Sequence, residues 1–293
     1  MARFQINQMM KKGLILILFI FSTTYARAGG GWVSGKGKGF FKLSEWWVVA
    51  DAHYTDTGEI DPNVTIGLFN TTLYGEYGLS DKVDVLVNFP VFSRSYSNLI
   101  RSKTTGDVIA PGQSVNSLGD TELGIKYGLI RNKAVVVSSS LYLGLPLGND
   151  SGGSDGTLQT GDGEFNQRIS LDISTSFPIS NFNTFYSINV GVNNRTQGFS
   201  DEFRYGFETG LIVNKKIIGI FRLQGLKSFK NSSFTETNGA SLFASDTEYL
   251  SYTFELGYEI KEKYGISANM GKAFSGNLIF ANPSYSIGVH VKI

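Results

Sequence analysis

Polar and apolar residues alternate along most of this chain with a period of two. The clearest case is Tyr285, Ile287, Val289, Val291 and Ile293, interleaved with Ser284, Ser286, Gly288, His290 and Lys292. Such alternation sends one set of side chains to each face of a β-strand. Leu250, Tyr252, Phe254, Leu256 and Tyr258 repeat it against Ser251, Thr253, Glu255, Gly257 and Glu259. Phe165, Ile169, Leu171 and Ile173 repeat it against Asn166, Arg168, Ser170 and Asp172. The pattern predicts twelve strands, at 39–54, 64–78, 81–93, 118–130, 133–146, 164–178, 182–196, 202–214, 216–229, 247–260, 262–274 and 280–293. Each is about 10–16 residues long, where soluble sheets average ~5–6. A tilted strand needs ~9–11 residues to cross the hydrocarbon of a bilayer.

Tight connections are predicted at Ser80-Asp81, Arg131-Asn132, Ser180-Asn181, Asn214-Lys215 and Lys261-Glu262. Longer ones are predicted at Thr55–Asn63, Arg94–Asn116, Gly148–Gly163, Gln197–Asp201, Lys230–Asp246 and Ser275–Leu278. Short and long alternate throughout, as periplasmic turns and extracellular loops do in a transmembrane barrel. Aromatics near strand ends suggest two interfacial rings: Tyr77, Tyr127, Phe177, Phe182, Tyr258 and Tyr264 at the short turns, and Tyr54, Phe89, Phe165, Phe203, Phe229, Tyr249 and Phe280 at the long loops. The six prolines fall in predicted loops or near strand ends, where no ladder donor is lost. The face of Trp47 and that of Ile217, Ile218 and Ile220 stay open, because apolar residues there fill both phases.

The fold class expected is therefore all-β: a transmembrane, antiparallel, up-and-down β-barrel of about twelve strands over 39–293. A leader precedes it. Lys11 and Lys12 introduce the apolar run GLILILFIF, and Ala26-Arg27-Ala28 follows as a small-x-small cleavage site. Residues 1–28 are read as a cleaved signal peptide, and 29–38 as a short Gly-rich segment ahead of the barrel. That segment is too short for a substantial plug domain. A loop that closed the lumen would be Arg94–Asn116.

Composition narrows the chemistry. With no cysteine and two histidines, His53 and His290, thiol catalysis, cysteine-ligated zinc and a three-histidine metal site are excluded. A net charge of +1 over 293 residues gives no footprint for nucleic acid. His53 lies near Asp51, but no serine motif accompanies either histidine, so no catalytic residue, metal site or cofactor is assigned and the chain is read as no enzyme. The Asp/Gly-rich stretch Asn149–Glu164 lacks the spacing of a calcium loop and reads as a solvated turn-rich loop.

With apolar residues facing lipid, the polar set lines the interior. The lining candidates are Asn70, Asn88, Lys126, Arg168, Arg204, Glu208 and Arg222. Signs are mixed, with no ring of one charge of the kind a strongly selective pore uses. Pairing across the lumen is the expected role of each charge. Twelve strands lie between the filled interior of eight and the water channel of sixteen.

Several short motifs occur in order: Phe40-Phe41-Lys42-Leu43-Ser44, Leu73-Tyr74-Gly75-Glu76-Tyr77-Gly78-Leu79-Ser80-Asp81, Asn88-Phe89-Pro90, Gly119–Tyr127, Gly144-Leu145-Pro146-Leu147-Gly148 and Leu158–Glu164. Their arrangement resembles the outer-membrane barrels grouped as the "MetA-pathway of phenol degradation" family, which is loosely similar to long-chain fatty-acid and toluene channels. The resemblance implies bacterial outer-membrane location and a passive channel or uptake role for a small, apolar or aromatic molecule. It also implies the outer-membrane lipid and the barrel-assembly machinery as partners. The fatty-acid channels have fourteen strands and an N-terminal hatch; this chain reads as twelve, without room for a hatch. The alternative is a structural or surface-interaction barrel with a blocked lumen and ligand-binding extracellular loops.

Overall fold

Period-two sequence becomes a closed sheet. The structure, a computed structural model, describes residues 29–233 and 243–293; the expected leader lies outside the described residues. The barrel strands are β1 Gly39–Tyr54, β2 Ile60–Gly78, β3 Val83–Ser97, β4 Thr121–Ile130, β5 Val135–Leu145, β6 Asn166–Ile179, β7 Phe182–Arg195, β8 Glu202–Val213, β9 Ile217–Ser228, β10 Glu248–Lys261, β11 Tyr264–Asn277 and β12 Ser284–Lys292. Each is antiparallel to the next. β1 pairs with β2 (Trp46↔Asn70) and with β12 (Leu43↔Val289), which closes the ring. Closure leaves no unpaired edge, the condition for a sheet to survive in hydrocarbon.

The register fixes both faces. Ile188 pairs with Ile173 and Phe207, all on the outer surface, and is 54% exposed. Leu123, Ile125, Ile169, Leu171, Val190, Val192, Leu256, Ile266 and Ile287 are likewise exposed, forming an apolar outer band. The side chains between them point inward and are polar. One ring of aromatics is where it was expected: Tyr77, Tyr127, Phe177, Phe182, Tyr258 and Tyr264 are exposed beside the short turns. At the other end, Tyr54, Tyr249 and Phe280 instead join interior apolar clusters. Trp46 turns inward and Trp47 outward, the latter with its ring 6.0 Å from that of Tyr285.

The short turns use left-handed residues that strand twist favours: Asn132 (φ 55°), Ser180 (φ 53°), and Asn214 and Lys215 (φ 49° and 59°). Two expected boundaries move. β2 begins at Ile60, because the β1–β2 hairpin continues past a bulge at Asp51. β3 continues to Ser97, so Arg94–Asn116 is not an inward loop. Ser93–Ser97 pairs with Gln113–Ser117, and Ile100–Arg101 pairs with Val108–Ala110. The segment extends the wall outward. Pro90 consequently falls inside a strand, tolerated because a bulge interrupts the β2–β3 register there and its carbonyl accepts from Gly119 N at 3.0 Å.

Candidate functional site: the barrel interior

The periplasmic half of the interior is occupied by the Gly-rich N-terminal segment. Gly37 N donates to Gly78 O (2.9 Å) at the rim. From there the chain crosses inward: Ser34 N donates to Asp84 Oδ2 (2.7 Å), Trp32 meets Phe185 edge-on at 6.3 Å, and Gly31 N donates to Ser174 Oγ (2.8 Å). These partners lie on β3, β6 and β7, so the segment spans the lumen. Glycine is required for this. A Cβ at Gly31 would stand 3.0 Å from the carbonyl oxygens of Asp172 and Val136, and one at Gly78 would stand 1.9 Å from Gly35 O. Short as it is for a plug domain, the segment reaches from Gly78 at the rim to Ser174 on β6.

Charges pair along the inner wall, and three pairs, Lys126–Glu76, Arg168–Glu122 and Lys42–Glu255, link non-adjacent strands. Lys126 on β4 and Glu76 on β2 meet at 3.4 Å, only 2% and 1% exposed, and the Tyr74 hydroxyl donates to the same carboxylate. Arg168 meets Glu122 at 2.8 Å and lies over the Tyr142 ring, 4.0 Å from its centroid. Arg222 bridges Glu208 (2.5 Å) and Glu255 (2.6 Å), and Lys42 reaches Glu255 at 2.8 Å from the far side of the seam. Arg204 meets Glu202 at 2.8 Å. Asn70 Oδ1 accepts from Ser93 Oγ at 2.6 Å, and Asn88 lies in register between Tyr74 and Glu122. Pairs linking non-adjacent strands require chords through the interior, so these side chains point inward. At the periplasmic rim, Glu259 holds His290 (3.2 Å) and Lys292 (2.5 Å).

At the extracellular end, Arg195 is a buried hub. Its guanidinium meets Glu164 (2.9 Å), Asp162 (3.0 Å) and Glu202 (3.1 Å), donates to Ser245 O (3.2 Å), and lies 4.4 Å from the Phe199 ring centroid. Three connections are thereby tied to one side chain. Asp120 adds a second knot, accepting from Gly148 N (2.9 Å) and Asp162 N (2.7 Å). The stretch Asn149–Glu164 is accordingly no freely solvated loop: Leu158, Thr160 and Glu164 are buried. Burial, and then the nearby Asp120 carboxylate, push Asp162 up to about 7 against the pull of Arg195. Burial and the neighbouring Asp162 raise Glu164 as well.

Beside this polar hub lies an apolar arc. Val48, Ala50, Leu68 and Phe280 form a buried cluster with Trp46, Ile66 and Phe243 against it; Tyr54, Ala273, Ile279 and Ala281 form a second, joined by Ala52 and Tyr249. His53 pairs with Phe280 across β1, with its ring 5.2 Å away. It is 3% exposed, and neither ring nitrogen has a hydrogen-bond partner among the described residues. No Ser/His/acid arrangement surrounds either histidine there.

The candidates read from alternation, Asn70, Asn88, Lys126, Arg168, Arg204, Glu208 and Arg222, thus share the inner surface. Arg195, Asp162 and Glu164 were not among them: Arg195 ends β7, where alternation gives a face but no partner, and a connection such as the one holding Asp162 and Glu164 carries no period-two signal. The Asp/Gly density of 149–164 was their only trace.

A closed twelve-stranded sheet with an apolar outer band and a polar inner face defines an outer-membrane β-barrel. No family model and no curated protein matches the chain. Among solved structures it is similar to the COG4313 outer membrane channel from Pseudomonas putida F1, with 11% identity and a TM-score of 0.59, covering 92% of this chain and 100% of that one. The NanC porin follows with 9% identity and a TM-score of 0.48 over 86% of this chain and 100% of that one. The KdgM porin has 8% identity and a TM-score of 0.47 over 86% and 98%. At 11% identity the likeness to the Pseudomonas putida channel bears on the fold alone.

Proposed function

We propose that this barrel is a passive route across the outer membrane for a small molecule with an apolar or aromatic body. One observation carries the reading: an apolar arc (Val48, Ala50, Leu68, Phe280, Trp46, Phe243) is set into the extracellular end of an otherwise charge-paired interior. Val48, Ala50, Leu68 and Phe280 are packed under Trp46, Ile66 and Phe243; an apolar solute that takes the place of such neighbours gains ~25 cal/mol per Å² that it buries there, and a charged solute gains nothing. The likeness to a known outer-membrane channel and the resemblance to the phenol-degradation barrels support the same reading. The barrel performs no chemistry; it supplies the path and its selectivity. Liposome swelling tests this. Neutral aromatic solutes should enter vesicles carrying the protein faster than sugar acids of equal size, and Val48→Glu should remove the difference. Equal rates, or no entry of either, would overturn it.

A second reading, a surface-interaction barrel with a blocked lumen, is favoured by the N-terminal segment crossing the interior and by Arg195 tying the loops. Its mark would be a folded barrel that passes no solute and binds a partner through 146–165 and 196–201.

A further inference from the structure

Where the N-terminal segment crosses the lumen it meets an unbalanced set of charges. Glu76, Asp84 and Lys126 are fully buried, and Lys126 is flanked by Glu76, Asp172 and Asp84. Three carboxylates thus face one ammonium. Arg168, the next cation, makes its ion pair with Glu122 at 2.8 Å and reaches Asp172 only through its field, without an ion pair to it. Asp84 Oδ1 has no partner among the described residues. Uncompensated charge in such a place is strongly unfavourable.

One more nitrogen reaches the group. Gly29 N lies 3.4 Å from Glu76 Oε2, the same oxygen that Lys126 Nζ approaches at 3.4 Å. The fold brings it there deliberately: Gly30 has φ +62°, and a Cβ on it would come within 2.7 Å of the Ser174 and Ser187 hydroxyls. The sequence, meanwhile, ends its leader at Ala26-Arg27-Ala28. Hydrolysis of the Ala28–Gly29 bond leaves the carboxylate on Ala28 and an amine on Gly29, which takes up a proton at neutral pH.

We propose that Gly29 is the mature N-terminus and that its α-ammonium is the second counter-ion of the Glu76–Asp84–Asp172 group. Leader removal then creates the charge that seats the N-terminal segment in the lumen. An uncut chain offers only a neutral amide at that position. The proposal is independent of what passes through the barrel.

Protein purified from outer membranes tests it. Intact mass and N-terminal sequencing should give Gly29 as the first residue. Acetylation of the α-amine by acetic anhydride, read on the N-terminal peptide, should be at least about tenfold slower in folded protein than after heating in SDS, since an ion-paired ammonium presents little free amine. Glu76→Gln should restore most of the reactivity while retaining the gel mobility of a folded barrel. One extra alanine ahead of Gly29 should do the same, by moving the ammonium away. A different first residue, or equal rates in folded and heated wild type, would overturn the proposal. So would full protection in a folded Glu76→Gln barrel, which would leave burial as the sole cause. The comparison of folded with heated wild type needs no variant, so it stands even where Glu76→Gln does not fold.

Discussion

Arg195 shows how a single side chain can order several loops. Its three carboxylate partners and the Ser245 carbonyl come from segments far apart in sequence. Removing one partner of a buried charged group typically costs about 3–5 kcal/mol, because the others are left buried and unpaired. Arg195→Ala should therefore release the outer loops without opening the barrel. Limited proteolysis should cut within 148–164 at least tenfold faster, with the heat-resistant core unchanged. Asp162 adds a pH dependence. Its pKa of about 7 in the folded state lies above the ordinary value of 3.8, so the closed loops bind more protons than the open ones between those limits. The contribution of Asp162 to closed-loop stability is then greatest below about pH 4 and falls as pH rises towards 7. Amide exchange at 160–164, corrected for intrinsic rates, should be slower at pH 5 than at pH 8. Asp162→Asn should flatten the difference.

At the scale of the strand, the two faces answer to different solvents. Ile188 lies midway along β7, flanked by Ile173 and Phe207. An arginine there should cost about 2–4 kcal/mol of folding into vesicles, as expected for a cation on the lipid face near the midplane. Measured by urea titration, Asn189→Arg on the neighbouring inward position should cost clearly less. Strands were the most legible feature of the sequence, since alternation over ten or more residues leaves little choice of face. Legibility failed where the chain leaves that period. Pro90 suggested a strand end, yet β3 runs through it at a bulge. Tyr54, Tyr249 and Phe280 suggested an interfacial ring, yet they pack inward, because folded-in loops provide apolar partners that no local pattern encodes. Gly29–Lys38 reads as too short for a plug domain, and the sequence says nothing of where it sits; its seat depends on distant Ser174, Asp84 and Glu76, contacts that only the closed barrel creates.

For the whole molecule, the barrel is a wall sealed against lipid, cross-braced by paired charges and narrowed at each end by different means. Loops knotted at Arg195 and Asp120 close in at the outer end, and the N-terminal segment crosses the periplasmic half. A passive route requires that a path persist beside the segment and widen without it. The most direct measurement is single-channel conductance in planar bilayers, comparing residues 29–293 with a chain lacking 29–36, each checked for heat-modifiable gel mobility. Small discrete steps from the full chain and steps several-fold larger from the shortened one are the predicted result. Folded barrels that give no steps in either form would contradict a transmembrane path and leave the surface-interaction reading in its place.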